Sequence, residues 1–202
     1  MLSVRETKLV WAGALRERAA TTELMLHHLA GEGSVEDIHR YHLSLGWSGI
    51  GYHYYVRADG SIYRGRPEHS VGGHCKGHND RAIGICFEGN FETQTMPPAQ
   101  MAAGLALVAD IKGRYPGITV GGHRDYAATA CPGRNFPLEE MKAVKAVDNT
   151  PDAYAAEAVA WAREKGILCG DERGDERLHE SVTRQEVLVF LHRAMEVRAN
   201  GS

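Results

Sequence analysis

Within the first 150 residues, runs that read as buried strands alternate with amphipathic runs that open on helix signals, and that alternation admits few architectures. Glu23 to Leu29 (ELMLHHL) has the length and apolarity of a short buried strand. Ser34-Val-Glu-Asp37 has the capping-box form that opens a helix, with Ile38, Tyr41, His42 and Leu45 along one face and Gly46 at the end. Gly51 to Arg57 and Ser61 to Arg64, joined by Ala58-Asp59-Gly60, predict a β-hairpin, because both arms are rich in aromatic and β-branched residues. Ala82 to Phe87 (AIGICF) reads as a third buried strand. A helix is predicted from Pro98 to Arg114, with Met101, Leu105, Val108 and Lys112 in one stripe and Tyr115-Pro116-Gly117 as its stop. Ile118 to Gly121 and Pro137 to Val147 complete the series as a strand and a helix. The expected fold is therefore α/β, a central mixed β-sheet flanked by helices, over residues 1–148.

Asp148 to Asp152 (DNTPD) reads as a linker to a small helical hairpin at 149–202. Tyr154, Ala158, Trp161 and Lys165 mark its first helix, ending at Gly166. Thr183-Arg-Gln-Glu186 is a second capping box, opening a helix with Val187, Phe190, Leu191, Ala194 and Met195 on its buried face.

Charge and composition exclude several classes of function. The segment up to Asp148 carries 16 basic against 16 acidic residues, and the remainder 7 against 10, so neither has the positive excess that nucleic-acid binding requires. No window approaches the roughly 18 consecutive apolar residues of a membrane span. The charged amino terminus lacks the apolar core of a secretory signal, so synthesis in a cytoplasm is expected. Four cysteines in a chain made among reducing thiols point away from a disulfide framework and toward metal ligation.

Of eleven histidines, nine fall between His27 and His123, which places the chemistry in the first 150 residues. His123 and Cys131 stand eight residues apart in GGHRDYAATACPG, a loop held by glycines at one end and Pro132-Gly133 at the other. Such a loop can aim an imidazole and a thiolate at one point. A catalytic zinc takes three protein ligands and keeps a fourth position open, and the strand ending in His27-His28 is the candidate source of the third. Strand geometry alone does not choose between those two histidines.

LHHLA (26–30), GWSGIGYHYYVRADGSIYRGR (46–66), GGHCKGHNDRAIGICFEGNF (72–91) and GGHRDYAATACPG (121–133) resemble the four signature blocks of the type 2 N-acetylmuramoyl-L-alanine amidases. That family includes phage amidase endolysins and animal peptidoglycan recognition proteins, and the resemblance covers roughly residues 9 to 140. It implies one Zn²⁺ per chain, held by His27, His123 and Cys131, with His28 as a structural neighbour. Two neutral imidazoles and one thiolate leave such a site near a charge of +1, enough to lower the pKa of water toward about 7 and to polarise a carbonyl. The implied reaction is hydrolysis of the lactyl amide between N-acetylmuramic acid and L-alanine in peptidoglycan.

The resemblance also implies roles for other residues. Tyr52 matches the tyrosine that phage members place beside the zinc, where it can hydrogen-bond the water or the oxyanion. Thr129 stands where phage members often carry a lysine, as it does in animal amidases, and brings a hydroxyl without a charge. Cys86 occupies the place of a catalytic glutamate in other branches, and Glu88 is expected to be a structural carboxylate. His74, Lys76 and Asn79 fall where the family lines its substrate groove, with Cys75 a bystander. The carboxy-terminal stretches AAEAVAWAREKGILCGD and SVTRQEVLVFLHRAM resemble one S-layer homology repeat, which implies a partner among secondary cell-wall polymers. A phage-type endolysin fits wall-cutting chemistry without an export signal. The alternative is a recognition protein that binds peptidoglycan without cutting it, a type that generally lacks the cysteine ligand.

Overall fold

The computed structural model describes residues 2–171 and 174–200, with side chains described as far as Val197. The elements are β1 (Val4–Arg5), β2 (Glu23–His28), α1 (Val35–Ser44), β3 (Tyr54–Val56), β4 (Ile62–Arg64), β5 (Ala82–Phe87), α2 (Pro98–Arg114), β6 (Thr119–Gly122), α3 (Leu138–Ala143), α4 (Ala156–Glu164) and α5 (Arg184–Asn200). Six strands form one mixed sheet in the order β1-β4-β3-β5-β2-β6. The β3–β4 hairpin is antiparallel, and β2 runs parallel to β5 on one side and β6 on the other. The α/β expectation therefore holds. Strand β1, which pairs with β4, was not read from the charged amino terminus because two residues carry no periodicity.

Side chains alternate across a strand, and here that alternation divides packing from chemistry. Leu24, Leu26, Ile83, Ile85 and Phe87 share the larger core with Leu107, Val108 and Ile111 of α2 and Leu138 and Met141 of α3. On the opposite face Tyr55 and Cys86 pack with Val35 and Ile38 of α1 and with Ile50. The α1 capping box forms as expected, with Asp37 N donating to Ser34 Oγ and Ser34 N to Asp37 Oδ2. Its buried face differs from the expected one: Val35, Ile38, His39 and His42 turn inward, while Tyr41 and Leu45 are 61% and 49% exposed. The true stripe is offset because polar histidine rings occupy inward positions that apolar counting favours for Tyr41 and Leu45. In α2, likewise, Leu107, Val108 and Ile111 are buried, and Met101 and Leu105 only flank the core. Helix α3 stops at Ala143 rather than Val147, since Lys112 Nζ donates to the Lys142 carbonyl and the following residues run beside α2, where Val147 N donates to Ala109 O.

Four histidines serve as backbone locks. The Nδ1 atoms of His28, His39, His42 and His53 accept from the N–H groups of Phe91, Ile50, Gly51 and Gly84 at 3.2, 3.2, 3.1 and 2.9 Å. His53 also donates from Nε2 to Ser70 O at 3.0 Å. Each such bond needs a neutral ring with Nδ1 unprotonated.

The carboxy-terminal segment departs from its expected packing. The Thr183–Glu186 capping box forms, with Glu186 N donating to Thr183 Oγ1 at 3.2 Å. However, α4 buries no side chain, and Val187, Leu191 and Met195 are 40%, 56% and 72% exposed. Only Phe190 and Ala194 of the expected face are half-buried. Polar links carry the arrangement: Arg193 donates to Ile167 O, and Arg177 pairs with Glu186. An apolar stripe requires cover but does not say that the adjacent helix supplies it. Glu172 and Arg173 of the connecting loop lie outside the described residues. Among the described residues, no helix is long and apolar enough to cross a membrane.

The histidine locks give an acid-stability prediction. Burial, followed by Arg66 and His39, pushes His42 down to about 4, and burial followed by His74 pushes His53 well below the ordinary value. Unfolded rings take up protons near pH 6.5 and the folded ones only below that, so the unfolded chain binds more protons and stability falls as pH drops from about 6.5 to 4. Urea midpoints of chelator-treated protein are expected to decline across that window. His42→Asn, which keeps an acceptor without titrating, is expected to flatten the decline.

Candidate metal centre

The parallel register of β2 with its neighbours builds this centre. His27 lies opposite Cys86 on β5, and Leu26 lies opposite Gly122, the last residue of β6. The chain then turns into a 3-10 segment, His123–Asp125, so that His123 emerges beside His27 with ring centroids 4.6 Å apart. Asp125 Oδ2 accepts from Gly122 N and fixes that turn. The loop returns through Cys131, whose carbonyl accepts from Arg124 N.

His27, His123 and Cys131 present donor atoms that all lie within 4.8 Å of one another. Cys131 Sγ is 3.7 Å from His27 Nδ1. Zinc bonds of about 2.3 Å to sulfur and 2.05 Å to nitrogen, at a tetrahedral angle, require a separation of roughly 3.6 Å. The residues present therefore fit a zinc ion by distance and by donor chemistry. His27 is buried and the other two are half-buried, which leaves one side of the cluster open. His28, whose role strand geometry left undecided, points to the other face, where its ring stacks near Phe91 and its Nδ1 is occupied by Phe91 N.

Burial, with His74 and His123 nearby, keeps His27 neutral far below the usual range, and burial also lowers His123. Both rings are thus ready to ligate without losing a proton. Burial pushes the Cys131 thiol up to about 11, so the ion-free chain holds a protonated sulfur there.

The remaining candidate residues fall in different places. Tyr52 sits beside His27, ring centroids 5.2 Å apart, and burial followed by Cys86 and Cys131 raises its hydroxyl well above 10. It is a proton donor at neutral pH, not a base. Thr129 is exposed, and its Oγ1 accepts from Cys131 N at 3.2 Å, leaving its O–H free to donate. Lys76 is exposed, but His74 is buried behind His27, with Nδ1 3.1 Å from His27 Nε2. Asn79 Oδ1 accepts from both His74 N and Cys75 N, at 2.8 and 2.9 Å, and so clamps the loop. Glu88 is structural: burial opposes its ionisation, but Arg57 and the N–H groups of Ala58 and Gly33 outweigh it and hold the carboxyl below its ordinary range. The contact between His74 and His27 was missed because only pairing of β2 with β5 brings them together. The nearest signal was the small-residue context of GGH and IGI.

A mixed α/β sheet with a His-His-Cys cluster at its strand ends defines a protein built around a candidate catalytic metal centre. Residues 17–134 match the N-acetylmuramoyl-L-alanine amidase family, and the chain belongs to it. The endolysin of Klebsiella phage KP32 is 34% identical over 125 residues, which are 57% of this chain and 83% of that protein. Peptidoglycan-recognition protein SC2 of Drosophila melanogaster is 36% identical over 125 residues, covering 55% and 68%. Among solved structures, the N-acetylmuramoyl-L-alanine amidase LysC from Clostridium intestinale URNW superposes with a TM-score of 0.68 at 43% identity, over 70% of this chain and 95% of that one.

Binding of a zinc ion by His27, His123 and Cys131 would have a measurable consequence. At pH 7 each zinc bound should release about one proton, because Cys131 starts as a thiol and both histidines start neutral. Titration calorimetry in buffers of different ionisation enthalpy measures that number, and Cys131→Ser should reduce it toward zero.

Proposed function

We propose that this amidase is zinc-dependent, with His27, His123 and Cys131 as its ligands. The 3.7 Å separation of Cys131 Sγ and His27 Nδ1, close to what one tetrahedral ion demands, carries the reading. Zinc held there by His27, His123 and Cys131 would supply a Lewis acid for polarising the lactyl carbonyl and activating water. Tyr52, protonated and with its ring beside His27, would donate a hydrogen bond to the developing oxyanion. Thr129 supports it with a second hydroxyl at the open edge. Neither brings a positive charge. Lys76, His74 and Asn79 belong to the loop expected to border the stem peptide, and among these Lys76 has the exposed side chain that an anionic group could reach. The substrate is peptidoglycan, and the bond is the amide between N-acetylmuramic acid and L-alanine.

The biological setting we propose is that of a phage-type endolysin, made in a cytoplasm and acting on the wall after release, as the similarity to phage endolysins supports. The alternative, binding without cleavage, is disfavoured by Cys131, which completes the ligand set. Mass spectrometry of digested muropeptides is expected to find free L-alanine amino ends without new sugar reducing ends. Cys131→Ala should abolish that release, and Tyr52→Phe should lower its rate about 100-fold with zinc retained. Undiminished lysis by the Cys131 variant would sink the reading.

We further propose a division into an amidase domain at 1–148 and a wall-binding module at 149–202 that resembles one S-layer homology repeat. Residues 144–152 form no regular element, which suits a connection between two parts. A chain truncated after Val147 should keep turnover on soluble muropeptide and lose retention on purified walls that carry secondary polymers. Equal retention of both chains counts against the module.

A further inference from the structure

His74 lies in none of the ligand positions, yet it is 8% exposed and its Nδ1 faces the buried nitrogen of a ligand histidine at 3.1 Å. We propose that His74 is a positioning residue that sets the tautomer and ring plane of His27 for metal binding. The inference rests on the zinc reading above. A neutral imidazole has one proton, and the atom of His27 beside Cys131 is Nδ1. A lone pair on Nδ1 therefore requires the proton on Nε2, and an acceptor must receive it there. His74 Nδ1 is that acceptor, so the proton of His74 itself sits on Nε2. That far nitrogen is buried, with the Ala82 carbonyl as a weak partner outside the limits of a normal hydrogen bond. The chain of protons thus runs in one direction, from the ligand ring to the supporting ring.

The fold makes room for this ring specifically. A Cβ at Gly84, in the middle of β5, would fall 2.5 Å from His74 Cδ2, and one at Gly72 would fall 2.6 Å from the same atom. Two glycines thus open a slot between strand and loop. Asn79 holds the backbone of His74 and Cys75, so the ring enters the slot from a fixed direction. Packing alone would not call for a polar ring here, with one nitrogen on a ligand and the other nearly unpartnered.

The test uses full-length protein. His74→Phe keeps an aromatic ring, somewhat larger, without an acceptor, and His74→Asn returns an oxygen near the place of Nδ1. Competition against a chromophoric chelator should show zinc held about 10- to 100-fold more weakly by His74→Phe. His74→Asn should recover most of that loss. In unsubstituted metal-free protein, long-range proton–nitrogen NMR of the imidazoles should find the His27 proton on Nε2. Undiminished zinc affinity in His74→Phe, equal weakening in both variants, or a His27 proton on Nδ1 overturns the proposal, and the NMR result decides should His74→Phe fail to fold. Cys131→Ala measured in parallel separates the two ideas. Zinc lost with Cys131→Ala but unchanged with His74→Phe rejects the positioning role alone, whereas zinc unchanged in both rejects the ligand assignment itself.

Discussion

The structure depends on the parallel pairing of β2 with β5 on one side and β6 on the other. Six consecutive residues of β2 are in register with β5 and four with β6, which fixes where each strand ends. Because the strands point the same way, their carboxy-terminal ends share one edge, and groups 104 residues apart in the chain, such as His27 and Cys131, meet there. Slipping β2 by one residue would turn His27 into the apolar core and send His28 toward Cys131. Register, more than any single contact, decides whether a metal centre exists.

The same alternation explains how one sheet supports both a dense core and a polar site. Phe87, Ile85 and Leu26 point to the α2 and α3 layer and supply the burial that stabilises the domain. His27, Gly84 and Cys86 occupy the other face, where α1 and the loop carrying His74 provide partial cover. Three of the histidines on and around that face, His39, His42 and His53, accept hydrogen bonds from backbone N–H groups, so part of a concentration of imidazoles that suggests chemistry is architectural. His53 ties the segment before β3 to Gly84 of β5, His42 ties α1 to Gly51, His74 backs His27, and only His27 and His123 present nitrogens to the open cluster.

The carboxy-terminal helices are organised by different physics. Arg163 with Glu176, and Arg177 with Glu186, link segments many of whose apolar side chains remain exposed. Exposed ion pairs contribute little to stability, so these helices lack the kind of core that holds the sheet domain together.

How legible the protein was in its sequence varied with the range of the interactions involved. Local signals determined the elements: both capping boxes, the Asp-Gly hairpin, the buried run AIGICF and the proline-led α2 stand where their residues place them, and the motif blocks carried the family. Local signals did not fix which side chains each element buries, because Tyr41, Leu45, Leu191 and Met195 satisfy a helical period whether or not another layer covers them. Nor could they choose His27 over His28, give His74 its place behind His27, or reveal β1, all of which follow from strand register. The sequence by itself determined segments and chemistry. The tertiary structure decided their adjacency, since hydrogen bonding between strands distant in the chain is a property of the folded sheet and not of any window of residues.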